Sequence, residues 1–232
     1  MQAIIASTST LHGSSYLEYL QPTLHAFFQD VDEVLFIPFA RPGGISHQAY
    51  TKKAAKGLES CSKTVVGLHE FSDMKKAISE AKAIFVGGGN TFLLVKQLHD
   101  LGLMPILKQR IKEGAKYLGT SAGSNICGVS MQTTNDMPIV YPPSFETLGI
   151  LNFNINPHYL DADVTSKHKG ETRETRIKEF QQLHPLPVLG LREGSWLQIQ
   201  GSEVRLKGEL TARLFEPGKA PVEISSNSLL NI

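Results

Sequence analysis

Short runs of continuous apolar residues alternate with stretches whose apolar positions recur every three or four residues. Runs of the first kind cover residues 2–7, 34–39, 64–68, 83–86 and 116–119. Each is too short for a stable helix and is apolar without alternation, which is the pattern of a strand covered on both faces. Stretches of the second kind cover residues 46–60, 73–82, a segment carrying Phe92, Leu93, Leu94, Val95 and Leu98, and a segment around 106–113. These predict helices. Strand–helix alternation predicts an α/β fold, a mainly parallel sheet with helices on both faces. The C-terminal third reads differently. Residues 187–191, 196–200, 204–206 and 212–215 are short, closely spaced apolar segments, with Gly201 and Ser202 as turn residues between two of them. They predict an antiparallel C-terminal strand extension on the same sheet. No repeat or linker divides the chain, so residues 1–232 are expected to form a single domain.

Composition narrows the partners. Twenty-three Lys and Arg stand against 22 acids, a net charge of +1. That argues against a strongly cationic nucleic-acid-binding surface. No apolar run approaches the roughly 18 residues of a membrane span, and no membrane partner is expected. Two cysteines, Cys61 and Cys127, make no disulfide framework. They read as free thiols in a reducing compartment, so cytoplasmic residence is expected.

The chemistry concentrates at strand ends. Gly119-Thr120-Ser121-Ala122-Gly123 follows an apolar strand and precedes a helix expected near Ser124-Asn125. Gly-x-Ser-x-Gly in that context is a nucleophile elbow, which lifts a serine hydroxyl above the carboxyl end of the sheet. A hydroxyl needs a base. Of eight histidines, His158 ends the strand-like run 151–158. The imidazole in turn needs an orienting acceptor, and Glu193 follows the apolar segment ending at Leu191. The order Ser…His…Glu differs from that of the α/β-hydrolases. Gly87-Gly88-Gly89-Asn90-Thr91 lies between a strand and a helix and exposes backbone N–H groups. It lacks the ending of a P-loop and the spacing of a dinucleotide fingerprint. Two readings remain: a helix cap, or a donor (Gly88 or Gly89) that joins the Ala122 N–H in an oxyanion hole. A metal site at His158, Asp161 and Asp163 has no zinc motif behind it. No metal and no cofactor are expected.

Several blocks occur together and in order: residues 87–92, 121–123, 133–140, 155–158, 168–173 and the Gly190-Leu191-x-Glu193-Gly194 run. Over nearly the whole chain they resemble the peptidase E family of α-aspartyl dipeptidases. The resemblance implies a class I glutamine amidotransferase-like fold with serine at the elbow. It also implies a metal-free hydrolase acting on dipeptides with an N-terminal aspartate. In those terms Ser121 is the nucleophile, His158 the base, Glu193 the orienting acid, and Ala122 with the Gly loop the oxyanion hole. Thr120 and Arg192 depart from the family pattern, where bacterial members carry tryptophan and proline.

An aspartate preference calls for a cation. In a helix starting near Thr172, positions 173, 177, 180 and 184 share one face, and Ile177 and Phe180 mark it as inward. Arg173 therefore sits on the buried stripe in the first turn, where dipole and burial both disfavour a cation. A substrate carboxylate would compensate, with His168 and Lys169 as possible helpers. Asp136 is the candidate acceptor for the free α-amine, and Asn90 for either polar group. The expected partner is a small Asp-Xaa peptide; the single chain and a homodimer are both compatible with this reading. Residues 161–180 hold ten charged residues in twenty, and the loop 161–169 is expected to close as a lid.

Overall fold

The structure is a computed structural model that describes residues 1–163, 165 and 170–232. Five predicted strands are present as β1 (Gln2–Ala6), β2 (Glu33–Ile37), β3 (Thr64–Gly67), β4 (Ala83–Val86) and β5 (Lys116–Thr120). All pair in parallel, in the order β3-β2-β4-β5-β1. The predicted helices appear as α2 (His47–Gly57), α3 (Met74–Glu80), α4 (Thr91–Asp100) and α5 (Met104–Lys112), joined by α1 (Gln21–Phe27) near the amino terminus. Ser46, Asp73 and Asn90 cap α2, α3 and α4, each accepting a backbone N–H three residues on.

Alternate residues of each strand face opposite ways. Ile4, Ala6, Val34, Phe36, Phe85 and Leu118 pack under α1 and α2. Ala3, Ile5, Leu35, Ile37, Ile84, Val86 and Tyr117 face α3, α4 and α5. The sheet is thus covered on both faces, as its continuous apolar strands require.

The carboxyl-terminal strands differ from expectation. β8 (Trp196–Gln200) and β9 (Glu203–Lys207) do extend the main sheet, antiparallel along β1. β7 (Val188–Leu191) and β10 (Ala212–Phe215) do not. With β6 (Asn154–Pro157) and β11 (Val222–Ile224) they form a separate four-stranded sheet, β11-β10-β7-β6, in which only β6 and β7 run parallel. One side of this sheet, Ile155, Leu189, Leu191 and Leu214, joins the core beneath the main sheet. The other side, Val188 and Phe215, receives Ile177 and Phe180 of α7 (Arg173–Leu183). Both faces of β7 are buried, and the partners that bury them come from segments distant in the chain.

Arg192, the departure noted beside Glu193, ties this second sheet together. Its guanidinium bonds both oxygens of Asp161 (2.9 and 2.8 Å), both oxygens of Glu223 (2.9 and 3.1 Å) and Thr211. It also lies over the Tyr159 ring, 5.5 Å from its centroid. Arg213 extends the network to Glu174 on α7 and again to Glu223. The Arg192 hydrogen bonds, above all, hold the Glu223 carboxyl at about 2 against an ordinary 4.5. A depressed carboxylate stabilises the folded protein above its unfolded pKa and loses that contribution as pH falls through the folded value. Glu223→Gln should therefore lower the denaturant midpoint at neutral pH. The gap to the wild type should close between about pH 4.5 and about pH 2. A gap that stays constant over that window contradicts the assignment.

Candidate active site

β5 delivers Ser121 at the rim of the main sheet. The residue has φ 55° and ψ −109°, outside the ordinary regions for an L-residue, and α6 (Ala122–Asn125) starts immediately after it. Strain of this kind persists only where neighbours over-determine it. Ser121 N–H donates to Ala6 O at 3.1 Å, and Ser124 Oγ donates to the same carbonyl at 2.6 Å. Gly123 must be glycine, because a Cβ there would sit 2.2 Å from Val86 O. The elbow expected from the sequence is present, with its helix short and starting at Ala122 rather than Ser124.

His158 follows β6 directly and is also left-handed, with φ 55°. Its Nε2 lies 2.7 Å from Ser121 Oγ and its Nδ1 lies 2.5 Å from Glu193 Oε1. The three side chains named from the sequence are therefore joined in one chain of contacts. The imidazole is 34% exposed and the carboxylate 46%, so solvent reaches both. Neither His158 nor Asp161 is arranged for a metal: the first contacts Ser121 and Glu193, the second is held by Arg192.

The Gly loop sits beside the serine. A Cβ on Gly88 would lie 2.9 Å from Ser121 Cβ and 3.3 Å from Thr120 O, so only glycine admits this approach. Tyr50 OH donates to Gly88 O at 3.0 Å, and Asn90 N–H donates to Ala40 O at 2.7 Å. The N–H groups of Gly88, Gly89 and Ala122 make no hydrogen bond among the described residues. Arg41 covers the Tyr50 ring, 5.0 Å from its centroid. Neither Tyr50 nor Arg41 is marked by local sequence, since the loop they support lies more than thirty residues away.

The remaining predicted residues divide. Arg173 opens α7 on the same face as buried Ile177, with Thr172 as N-cap. It is half-buried and makes no hydrogen bond or ion pair among the described residues. Burial, then Arg176, lowers its pKa, while Asp136 acts in the opposite sense, so Asp136 is its acidic neighbour. Asp136 Oδ2 accepts from Thr91 N (2.7 Å), Thr91 Oγ1 (2.6 Å) and Thr134 Oγ1 (3.0 Å), leaving Oδ1 without a hydrogen bond among the described residues. Asn90 is otherwise engaged. Its Oδ1 caps α4 at Leu93 N and its Nδ2 donates to Met137 O. Both ends of the amide hold the frame, and each keeps the capacity for one further hydrogen bond. His168 and Lys169, and much of the loop expected to act as a lid, lie outside the described residues.

A hydroxyl, an imidazole and a carboxylate in relay, beside unengaged N–H donors at the carboxyl rim of an α/β sheet, form a site suited to acyl transfer of the hydrolase kind. Comparison with known proteins gives the family. The model of peptidase family S51 matches residues 3–207. The chain is 46% identical to peptidase E of Streptomyces coelicolor over 231 residues, covering 100% of this chain and 94% of the relative. It is 45% identical to a probable alpha-aspartyl dipeptidase of Drosophila melanogaster, covering 96% and 92%. Among solved structures, a peptidase from an acI-B1 Actinobacterium shares the fold at TM-score 0.74 and 15% identity, covering 100% of this chain and 96% of that one. A putative peptidase E protein from Listeria monocytogenes EGD-e does so at 0.67 and 23%, covering 89% and 98%. The chain belongs to peptidase family S51 and is a serine-type peptidase. No helix among the described residues is long and apolar enough to cross a membrane.

The tight seat of the Gly loop yields a test. Gly88→Ala should slow phosphonylation of Ser121 by about 10²-fold, because the added methyl meets Ser121 Cβ and displaces the side chain that bears the hydroxyl. Wild-type labelling kinetics would show that the approach of Gly88 to Ser121 is irrelevant to reactivity.

Proposed function

We propose that this peptidase hydrolyses dipeptides with an N-terminal α-aspartyl residue through an acyl-enzyme on Ser121. The observation that carries the reading is the pair of contacts made by His158, 2.7 Å to Ser121 Oγ and 2.5 Å to Glu193 Oε1. His158 Nε2 takes the serine proton as the hydroxyl attacks the aspartyl carbonyl. Glu193 accepts from Nδ1–H, which fixes the tautomer and favours the imidazolium that forms. His158 then protonates the leaving amine, and a water activated by the same nitrogen releases aspartate.

The developing oxyanion is received by the Ala122 N–H and by the Gly loop, an effect worth about 3–4 kcal/mol per donor. Gly88 and Gly89 both qualify by position. The Tyr50 bond favours Gly89: with the Gly88 carbonyl held toward Tyr50, the trans peptide turns the Gly89 N–H to the opposite side.

Substrate choice rests on two opposite charges. An N-terminal aspartate presents an ammonium and a side-chain carboxylate a few bonds apart. Arg173, half-buried and unpaired among the described residues, is the cation for the carboxylate, and Asp136 Oδ1 is the acceptor for the ammonium. The name of the Drosophila melanogaster relative, a probable alpha-aspartyl dipeptidase, supports the same class of substrate. Cytoplasmic residence belongs to this reading as well and is supported by Cys61 and Cys127, both free and buried.

Two variants test it. Ser121→Ala should abolish turnover of Asp-Leu while retaining binding of the dipeptide by calorimetry. Arg173→Ala should reduce kcat/KM for Asp-Leu by about 10²-fold or more, the scale of a lost charge-assisted pair, and leave a Leu-Leu substrate within about twofold. Equal losses on the two substrates would remove Arg173 from the specificity pocket. Faster hydrolysis of a β-aspartyl than of an α-aspartyl peptide would overturn the linkage preference.

A further inference from the structure

Ser7 lies just past the end of β1 and is completely buried. No catalytic motif includes it. Its hydrogen bonds nevertheless reach both segments that carry the base and its carboxylate. Its Oγ donates to Leu191 O at 2.7 Å and accepts from His158 N–H at 2.8 Å. Its own N–H donates to Ser195 O at 3.1 Å. Leu191 and Ser195 stand two residues before and two residues after Glu193. Tyr159 N–H closes a ring by donating to the same Leu191 carbonyl at 3.1 Å.

We infer that Ser7 is a positioning residue for the His158–Glu193 pair. The inference rests on the function proposed above and adds a residue to it. A left-handed φ at a non-glycine residue is kept only by surrounding bonds. His158 has such a φ, and the Ser7 hydroxyl supplies the acceptor for its N–H. The same hydroxyl holds the carbonyl from which the chain runs on to Glu193. A single side chain from the main sheet thus sets the spacing of two groups borne by the second sheet. Both hydrogen-bonding capacities of the hydroxyl are used, so its loss leaves a buried N–H without an acceptor and frees the His158 backbone to relax. The imidazole then moves relative to Ser121, which is held separately through Ala6.

The test compares wild type, Ser7→Ala and Ser7→Cys by steady-state kinetics on Asp-Leu, phosphonylation of Ser121, denaturant midpoint and proton NMR. The NMR signal followed is the deshielded Nδ1–H of His158, assigned by its loss in His158→Asn. Ser7→Ala should lower kcat about tenfold or more with KM within about twofold. It should slow phosphonylation to a similar degree and broaden or shift the Nδ1–H signal. Ser7→Cys, a poor donor and acceptor, should fall between the two. A wild-type kcat in Ser7→Ala overturns the inference. So does a lowered kcat with the Nδ1–H signal unmoved, which would mark Ser7 as a stabiliser of the fold alone. If Ser7→Ala does not fold, Ser7→Cys decides: reduced kcat supports the inference and wild-type kcat overturns it. Failure of the wild type itself to cleave Asp-Leu would count against the substrate reading; phosphonylation of Ser121 would still report on Ser7.

Discussion

A serine gives up its proton to an imidazole only when oxygen and nitrogen stand within about 3 Å, and in this protein the two groups belong to different sheets. Ser121 ends a strand of the seven-stranded sheet; His158 and Glu193 follow strands of the four-stranded one. The contact between them therefore depends on how the two sheets are docked. Parallel strands make the docking productive. Because β1, β2, β4 and β5 run the same way, their carboxyl ends share a rim, where Ser7, Ala40, the Gly loop and Ser121 come together. The parallel β6–β7 pair brings His158 and Glu193 to one end of the second sheet by the same rule.

Two strained residues lie where the two sheets meet. Ser121 and His158 are both non-glycine residues with φ near 55°. Each is fixed by a bond from the carboxyl end of β1 or the residue after it: Ala6 O receives the Ser121 N–H, and Ser7 Oγ receives the His158 N–H. The end of the first strand is thus a common reference for Ser121 and His158, although it contributes neither. Holding two strained backbones by adjacent residues at the end of one buried strand limits their relative movement, which is what a relay of short contacts requires.

The departures from the family pattern have different structural consequences. Arg192 joins Asp161 to Glu223 and Thr211 through a nearly continuous set of charge-assisted bonds, so a position beside Glu193 is secured by side-chain contacts. Thr120 is buried with its Oγ1 unpartnered among the described residues, and nothing in the structure explains that choice. Asp136 is oriented by Thr91 and Thr134 and is the acidic neighbour of Arg173 on α7. Asn90 holds α4 and the chain at Met137 through its amide.

What could be read without coordinates was local. Continuous apolar runs located the strands of the parallel sheet, because a strand buried on both faces needs no polar side. The elbow was legible because strand, glycines and serine are contiguous, and His158 and Glu193 stood out as polar residues ending apolar segments. Arg173 was legible from helical spacing with Ile177 and Phe180. The division of the carboxyl-terminal strands between two sheets was not, since β7 is equally apolar whichever neighbours it takes. Ser7 and Tyr50 were silent for a related reason: their bonds run to residues 151 and 38 positions away. Side-chain pattern along a chain reports which face of each segment avoids water. Which distant backbone groups then satisfy one another is settled only when the segments pack, because hydrogen bonds across the fold leave no periodic trace in the sequence.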